Sequence, residues 1–333
     1  MTDDFEERLG LKIAAYHDAA LLHAAIVLGL PETLEERSVP ADALATELGL
    51  SAPHLHRLLR GLASLGICAE GPDGTFALTP QGQSLLPGAW LRQKVQIVVT
   101  QYWRPWANLA AAVATAKPAF EQVFHHNVVD WRRDHAEAGA LFDSYLAYEA
   151  LAQAPALVST LDLSEVESVA DLGGGYGGLL AGLLQANQNL RGILFERPHL
   201  IEAALPRLQA QGVADRVERI GGDLLTAIPV EADLYVLNGV LQQWDDLHAR
   251  AILANCRKAM AQGARLAIVE RLLPQQAADD PAAIMLDLHM MAITGGRVRG
   301  LAEFEAMLSD AGFGQAEARP TPSGLFVIAA VAA

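Results

Sequence analysis

At 333 residues the chain is too long for one ordinary domain and too short for three large ones, so two domains are expected. Apolar residues make up 52% of it, yet no uninterrupted apolar stretch reaches the roughly eighteen residues of a bilayer span, so a membrane partner is not expected. A formal charge of −15, from 24 Lys and Arg against 39 Asp and Glu, repels a phosphate backbone and argues against a nucleic-acid partner.

The opening residues, Met1 to Arg8, are acidic where an export signal would be basic and then apolar, so a cytoplasmic location is expected. From about Leu9 to Leu30 the sequence is rich in Ala and Leu at helical spacing, with Gly29 as the stop. Pro40 to Gly49 reads as a short helix ending at its glycine, and Ser51 caps a second helix through Leu55, Leu58, Leu59, Leu62 and Leu65. Two short strands, Ile67 to Glu70 and Thr75 to Thr79, follow around a Gly71-Pro-Asp-Gly74 turn, which makes the whole a winged helix. Its second helix offers His54, His56, Arg57 and Arg60, a thin basic set inside an acidic protein, so packing and dimerisation are expected of it in place of base reading.

Residues from about Leu91 to Leu157 read as further helices carrying nine aromatics between Tyr102 and Tyr148, mostly core and in part the lining of a flat substrate pocket. Beyond Leu163 strands alternate with helices: Ser168–Leu172, Arg191–Phe195, Val217–Ile220, Ala232–Leu237, Ala264–Val269 and a last one from Leu325. That alternation gives an α/β fold with a mainly parallel sheet. Cys68 and Cys256 have no Cys/His cluster around them, so neither a disulfide framework nor a metal site is expected.

Val169 to Gly178 reads as a strand running into a glycine loop that opens a helix. Taken as GxGxxG the loop is a weak signal. Asp171, two residues before Gly173, sharpens it, because a carboxylate there opposes a dinucleotide's pyrophosphate but suits the ammonium and sulfonium of S-adenosylmethionine. Glu196 follows the second strand where an acidic side chain accepts both ribose hydroxyls. Gly222-Asp223-Leu224 follows the third, with a carboxylate for the adenine amino group and an apolar side chain for the ring face. Each residue alone could be a helix cap, a solvated strand end or a turn residue; three acidic anchors at three strand ends point to the cofactor.

With those residues in place the chain resembles the dimeric small-molecule O-methyltransferases of the plant phenolic and bacterial antibiotic or pigment type. The resemblance runs through the winged helix, Pro118 to Phe124, the glycine loop, Gly222-Asp223, Leu237 to Asp246, Val269-Glu270-Arg271 and Asp287 to Gly296. It implies a Rossmann-like methyltransferase domain behind an N-terminal helical winged-helix dimerisation domain, divided as 1–95 for dimerisation, 96–160 for a helical linker and substrate lid, and 161–333 for the cofactor and catalysis. It further implies that Asp171, Gly173, Gly175, Glu196, Gly222, Asp223, Leu224, Asn238 and Trp244 lie around S-adenosylmethionine. A homodimer acting on a small aromatic secondary metabolite, without a metal, follows from the same likeness.

One departure matters for mechanism. The family's loop commonly reads His-Asp-Trp, and its His takes the proton from a phenol; here it reads Gln242-Gln243-Trp244. Gln is no base near neutral pH, so the contribution of about 10²–10⁴-fold that proton transfer supplies is missing. Glu270 stands where one acidic partner of that His belongs, while Val298 replaces the other. Three explanations remain: placement alone suffices for a nucleophile with a free lone pair; His289 substitutes as base; or the bound sulfonium serves a non-methylating reaction such as hydroxylation, decarboxylation or a pericyclic step. A winged-helix regulator that senses the cofactor is a further alternative, which the acidic charge disfavours.

Overall fold

A computed structural model of the chain describes residues 2–333, with the side chains of residues 2 and 3 left aside. The chain forms two compact units, residues 1–104 and 105–333.

In the first unit helices Thr2–Ala14, Tyr16–Val27 and Leu30–Leu34 open the chain, as the Ala- and Leu-rich helical spacing implied. The break before Leu30 is at Gly29, whose φ of 68° lies in the left-handed region that only glycine enters cheaply. Helices Ala41–Leu48 and Ala52–Ser64 follow. Ser51 has the extended backbone of an N-cap, but its hydroxyl meets Nδ1 of His54 at 2.8 Å and caps no backbone N–H. Strand β1 (Ser38–Pro40) joins the expected pair, β2 (Cys68–Glu70) and β3 (Thr75–Leu78), in an antiparallel sheet of order β1-β3-β2. Leu30, Leu34, Leu44, Leu59, Leu62 and Phe76 bury the apolar faces of these elements in one core.

The second unit holds a seven-stranded sheet: β4 (Ser168–Leu172), β5 (Arg191–Glu196), β6 (Val217–Gly221), β7 (Leu234–Asn238), β8 (Arg265–Glu270), β9 (Glu317–Pro320) and β10 (Phe326–Val331). Its order is β6-β5-β4-β7-β8-β10-β9, with the first five strands parallel and β10 antiparallel to both neighbours. Strands β4, β5, β7 and β8 are apolar on both faces, which only a sheet covered on both sides tolerates. This is the α/β class that the alternating pattern implied. Strand β9 went unread because Glu317-Ala-Arg-Pro320 is an exposed edge with little apolar content.

Strand order reverses between β4 and β7. At such a switch point the loops beyond the carboxyl ends of neighbouring strands diverge and open a crevice. Asp171, Glu196, Asp223, Asn238 and Glu270 all lie in or just after the last residues of β4 to β8.

Candidate active site

The loop after β4 turns on three glycines with positive φ, Gly173, Gly175 and Gly177, before helix Gly178–Ala186 begins. Its backbone is tied to the next strand at two points. Gly173 N–H donates to the Phe195 carbonyl at 2.8 Å, and Gly175 N–H donates to Glu196 Oε2 at 3.1 Å. Glu196 Oε1 accepts the Arg197 N–H at 2.7 Å, so each carboxylate oxygen retains a lone pair for a further donor. Leu224 lies against this loop, its methyl 3.3 Å from where a Cβ on Gly173 would sit. Asp223 is exposed and accepts the Leu225 N–H at 2.9 Å through Oδ1, a turn bond. Gly222 precedes it so close to Phe195 that a Cβ would overlap the ring.

Asp171 is 1% exposed, and neither of its oxygens has a hydrogen-bond partner among the described residues. Burial, reinforced by the charge of Glu196, pushes its carboxyl up to about 7. Two residues that sequence reasoning passed over complete this corner. Asp143, on helix Ala136–Val158, meets the hydroxyl of Tyr176 from the glycine loop, and burial pushes Asp143 up to about 6 against the pull of Arg132. The Arg207 guanidinium covers the Tyr176 ring at 4.7 Å. Asp143, Asp171 and Glu196 thus bring three carboxyls around the glycine loop, two of them with raised pKa that a cation would return to the ionised form. An orphaned buried carboxylate beside a second one fits a cationic ligand, and the ammonium and sulfonium of S-adenosylmethionine meet that requirement.

Beyond β7 the half-buried Asn238 and Gly239 lead into a 3-10 turn, Leu241–Gln243. Glu270, at the end of β8 and 1% exposed, accepts the backbone N–H of Gln242 at 2.9 Å through Oε1; its Oε2 has no partner among the described residues. Burial pushes Glu270 up to about 7. Its tie to residue 242 is thus through the main chain, where the resemblance implied an acid facing a side-chain base. The Gln242 side-chain amide makes no hydrogen bond to the described residues, whereas Gln243 Nε2 donates to the Gly239 carbonyl at 2.9 Å. Trp244 ends the turn with its ring 5.4 Å from that of His248. Val298 is fully buried, and its N–H donates to Asp287 at 2.9 Å.

His289 lies on helix Pro281–Ile293, which Asp280 caps through the N–H groups of Ala282 and Ala283. The indole N–H of Trp106 donates to its Nδ1 at 3.0 Å, and burial, with Arg132 adding to it, lowers His289 to about 4. A neutral imidazole whose Nδ1 already accepts is a poor base, which weighs against His289 as the substitute base. The aromatics separate as the sequence could not sort them. Phe120, Phe124, Trp131 and His135 pack ring on ring, while Trp106 pairs with His289. Among the described residues no group of three or more His, Cys, Asp or Glu could hold a metal ion, and no helix is long and apolar enough to cross a membrane.

Known proteins resemble the chain over most of its length. Profiles of an O-methyltransferase domain and of an O-methyltransferase dimerisation domain match residues 106–314 and 12–88. A phenazine O-methyltransferase of Lysobacter antibioticus is 35% identical over 96% of this chain and 94% of its own. The 8-amino-8-demethylriboflavin N,N-dimethyltransferase of Streptomyces davaonensis is 31% identical over 89% and 86%. Among solved structures, an O-methyltransferase from neocarzinostatin biosynthesis, in complex with S-adenosylmethionine and 2-hydroxy-5-methyl naphthoic acid, superposes with a TM-score of 0.79 at 26% identity over 95% of this chain and 96% of that one.

Proposed function

The chain belongs to the O-methyltransferase family, and from that premise we propose that this S-adenosylmethionine-dependent methyltransferase methylates a small, flat aromatic or heteroaromatic secondary metabolite at an oxygen or nitrogen that needs no protein base. The observation that carries the reading is the turn at Gln242. Its side chain holds no titratable group, Glu270 is engaged with the main chain, and Nδ1 of His289 is taken by Trp106.

When bound, S-adenosylmethionine supplies a methyl group already activated by the positive charge of its sulfonium. In this reading Asp171 faces the cationic end, Gly173 and Gly175 offer a loop without side chains, and Glu196 accepts from the ribose. Gly222, Asp223 and Leu224 hold the adenine edge and face, with Asn238 and Trp244 closing the opposite side. The acceptor brings its own lone pair, as a ring nitrogen or as a phenolate or enolate ionised at neutral pH, and placement at about 3–3.5 Å then suffices. Gln242 orients it through an amide that takes no proton. Both acceptor atoms occur among the relatives, one named for O- and one for N-methylation.

The domain roles follow the division at 95 and 160: dimerisation in the first part, acceptor enclosure by the helices of 96–160 that lie beyond residue 104, and cofactor binding in the rest. A homodimer fits the match to the dimerisation domain. A cytoplasmic location is supported by two buried free cysteines, whose thiols burial raises to about 11 and about 12.

Incubation with methyl-labelled S-adenosylmethionine and a panel of phenols, quinones, phenazines and nitrogen heteroaromatics tests the reading. S-adenosylhomocysteine release with a product heavier by one methylene is expected. Cofactor that binds but stays intact while an acceptor changes would overturn it.

A further inference from the structure

Arg299 is the largest fully buried side chain among the described residues, and its guanidinium ties the turn that carries Gln242 to Asp246 and to the Arg297 carbonyl at 3.4 Å. Nη1 donates to the Leu241 carbonyl at 2.9 Å and Nη2 to the Trp244 carbonyl at 2.8 Å, one at each end of the turn. Nε donates to the Asp246 carboxylate at 3.0 Å, and the other oxygen of Asp246 takes Arg297 at 3.1 Å. Glu270 holds the middle of the turn through the Gln242 N–H. From the remaining side Gly296 approaches so closely that a Cβ would overlap the Gln242 carbonyl and stand 2.7 Å from the Trp244 nitrogen. The backbone of four residues is thus fixed from three directions, while the Gln242 amide it presents is left unengaged.

A buried guanidinium is a poor device for stability alone, since its desolvation offsets much of what its carbonyl partners and the half-exposed Asp246 carboxylate return; what it supplies is one defined arrangement. We propose that Arg299 is a positioning residue for methyl transfer: it fixes the Leu241–Trp244 turn so that Gln242 and the acceptor's nucleophile keep one alignment. The inference rests on the reading above that this turn faces the reacting atoms. With no base at position 242, alignment is what the turn contributes, and small misplacements of a reacting group cost on the order of a hundredfold in rate. Only the planar fork of arginine reaches two carbonyls and a carboxylate at once; lysine presents a point charge.

The experiment compares Arg299→Lys and Asp246→Asn with the wild type in kcat and KM for the acceptor found in the panel, in S-adenosylhomocysteine affinity by calorimetry, and in hydrogen exchange of the 242–246 amides. The expected result for Arg299→Lys is a kcat loss of about tenfold or more, with a clearly smaller loss of S-adenosylhomocysteine affinity, since in that reading Trp244 also borders the cofactor, and faster exchange confined to the turn. Asp246→Asn, on a side chain that is 51% exposed and so open to substitution, should follow in the same direction by about two- to fivefold. Unchanged kcat despite faster exchange, or loss of S-adenosylhomocysteine affinity in step with kcat, would overturn the proposal. Should Arg299→Lys not fold, Asp246→Asn decides between the same outcomes. Exchange needs no acceptor, so unchanged exchange in the variants sinks the inference by itself, whereas failure of the substrate reading shows in the wild type's products.

Discussion

The indole N–H of Trp106 donates to Nδ1 of His289 at 3.0 Å, with the two rings inclined by only 24°. Because Nδ1 accepts, the proton of the neutral imidazole sits on Nε2, and a pKa lowered to about 4 by burial and by Arg132 keeps it there at working pH. His289→Gln should therefore lower kcat by less than about tenfold, against the 10²–10⁴-fold expected on removal of a general base. The sign of the linkage gives a second readout. The unfolded chain binds this proton below about 6.5 and the folded chain only below about 4, so stability rises with pH across that window. His289→Gln should flatten the rise in melting temperature between pH 4 and 6.5.

In the proposed reading Gln242 occupies the position from which a base would act, and its backbone N–H is held by Glu270 at 2.9 Å. Gln242→His should raise turnover of un-ionised phenols by about tenfold or more at pH values above the imidazole pKa of about 6.5. The gain should fall short of the full range for a general base, because Val298 leaves the new ring with only Glu270 Oε2 to orient it. A pH–rate profile of the variant on a phenol of high pKa checks both the limb and its height; a flat profile with no gain would show that the turn does not face the acceptor.

Helix Gly178–Ala186 lies against helix Ala136–Val158 through two glycines. A Cβ on Gly178 would overlap the carbonyl oxygen of Ala147 and stand 2.9 Å from its carbon, so the backbones must part to admit it. Overpacking of this kind costs about 1–3 kcal/mol. Gly178→Ala should lower the melting temperature by roughly 2–12 °C for a unit of this size. It should also weaken S-adenosylhomocysteine binding, since the same helix carries the end of the glycine loop; a stable variant with native affinity would contradict the close packing.

Strands β4 to β8 and the residues at their ends were legible in the sequence because both signals are local. Short apolar runs leading to Gly or an acid identify the buried parallel strands β4 and β5, with Asp171 inside the first and Glu196 ending the second, while the half-exposed β6 before Asp223 shows through the Gly-Gly-Asp turn that closes it. The contributions of Asp143 and Arg299 were not legible. Asp143 reaches the glycine loop from a helix whose apolar residues show no clear face, and Arg299 sits in an irregular segment where its burial depends on carbonyls 55 and 58 residues away. Nothing in local composition separates a buried arginine from a solvated one. The same limit explains His289: the sequence places a histidine on a helix, but the tautomer is decided by Trp106, 183 residues distant.

In the proposed reading, with Asp171 facing the cationic end of the cofactor, affinity should depend on pH in a defined sense. With neither oxygen hydrogen-bonded among the described residues and burial raising its carboxyl to about 7, the residue is largely protonated below neutrality in the free protein. An ammonium or sulfonium placed beside it favours the ionised form, so binding releases a proton below about pH 7 and affinity should rise with pH until that value and then level. Titration calorimetry with S-adenosylhomocysteine, which keeps the ammonium, should show a dissociation constant falling by up to about tenfold for each pH unit between 5 and 7 if Asp171 alone were titrating. Asp143, raised to about 6, titrates in the same range and adds to the slope if it also faces the ligand. Asp171→Asn removes the charge without removing the volume, so it should weaken binding most at pH 8 and least at pH 5, leaving a shallower dependence. In the free protein the same group acts oppositely on folding: a raised carboxyl pKa favours the folded state at low pH and loses that contribution as pH rises through about 7. Asp171→Asn should therefore stabilise the ligand-free protein above pH 7 while weakening its hold on the cofactor, and a variant that lost both stability and affinity would show that the carboxylate serves the fold and not the ligand.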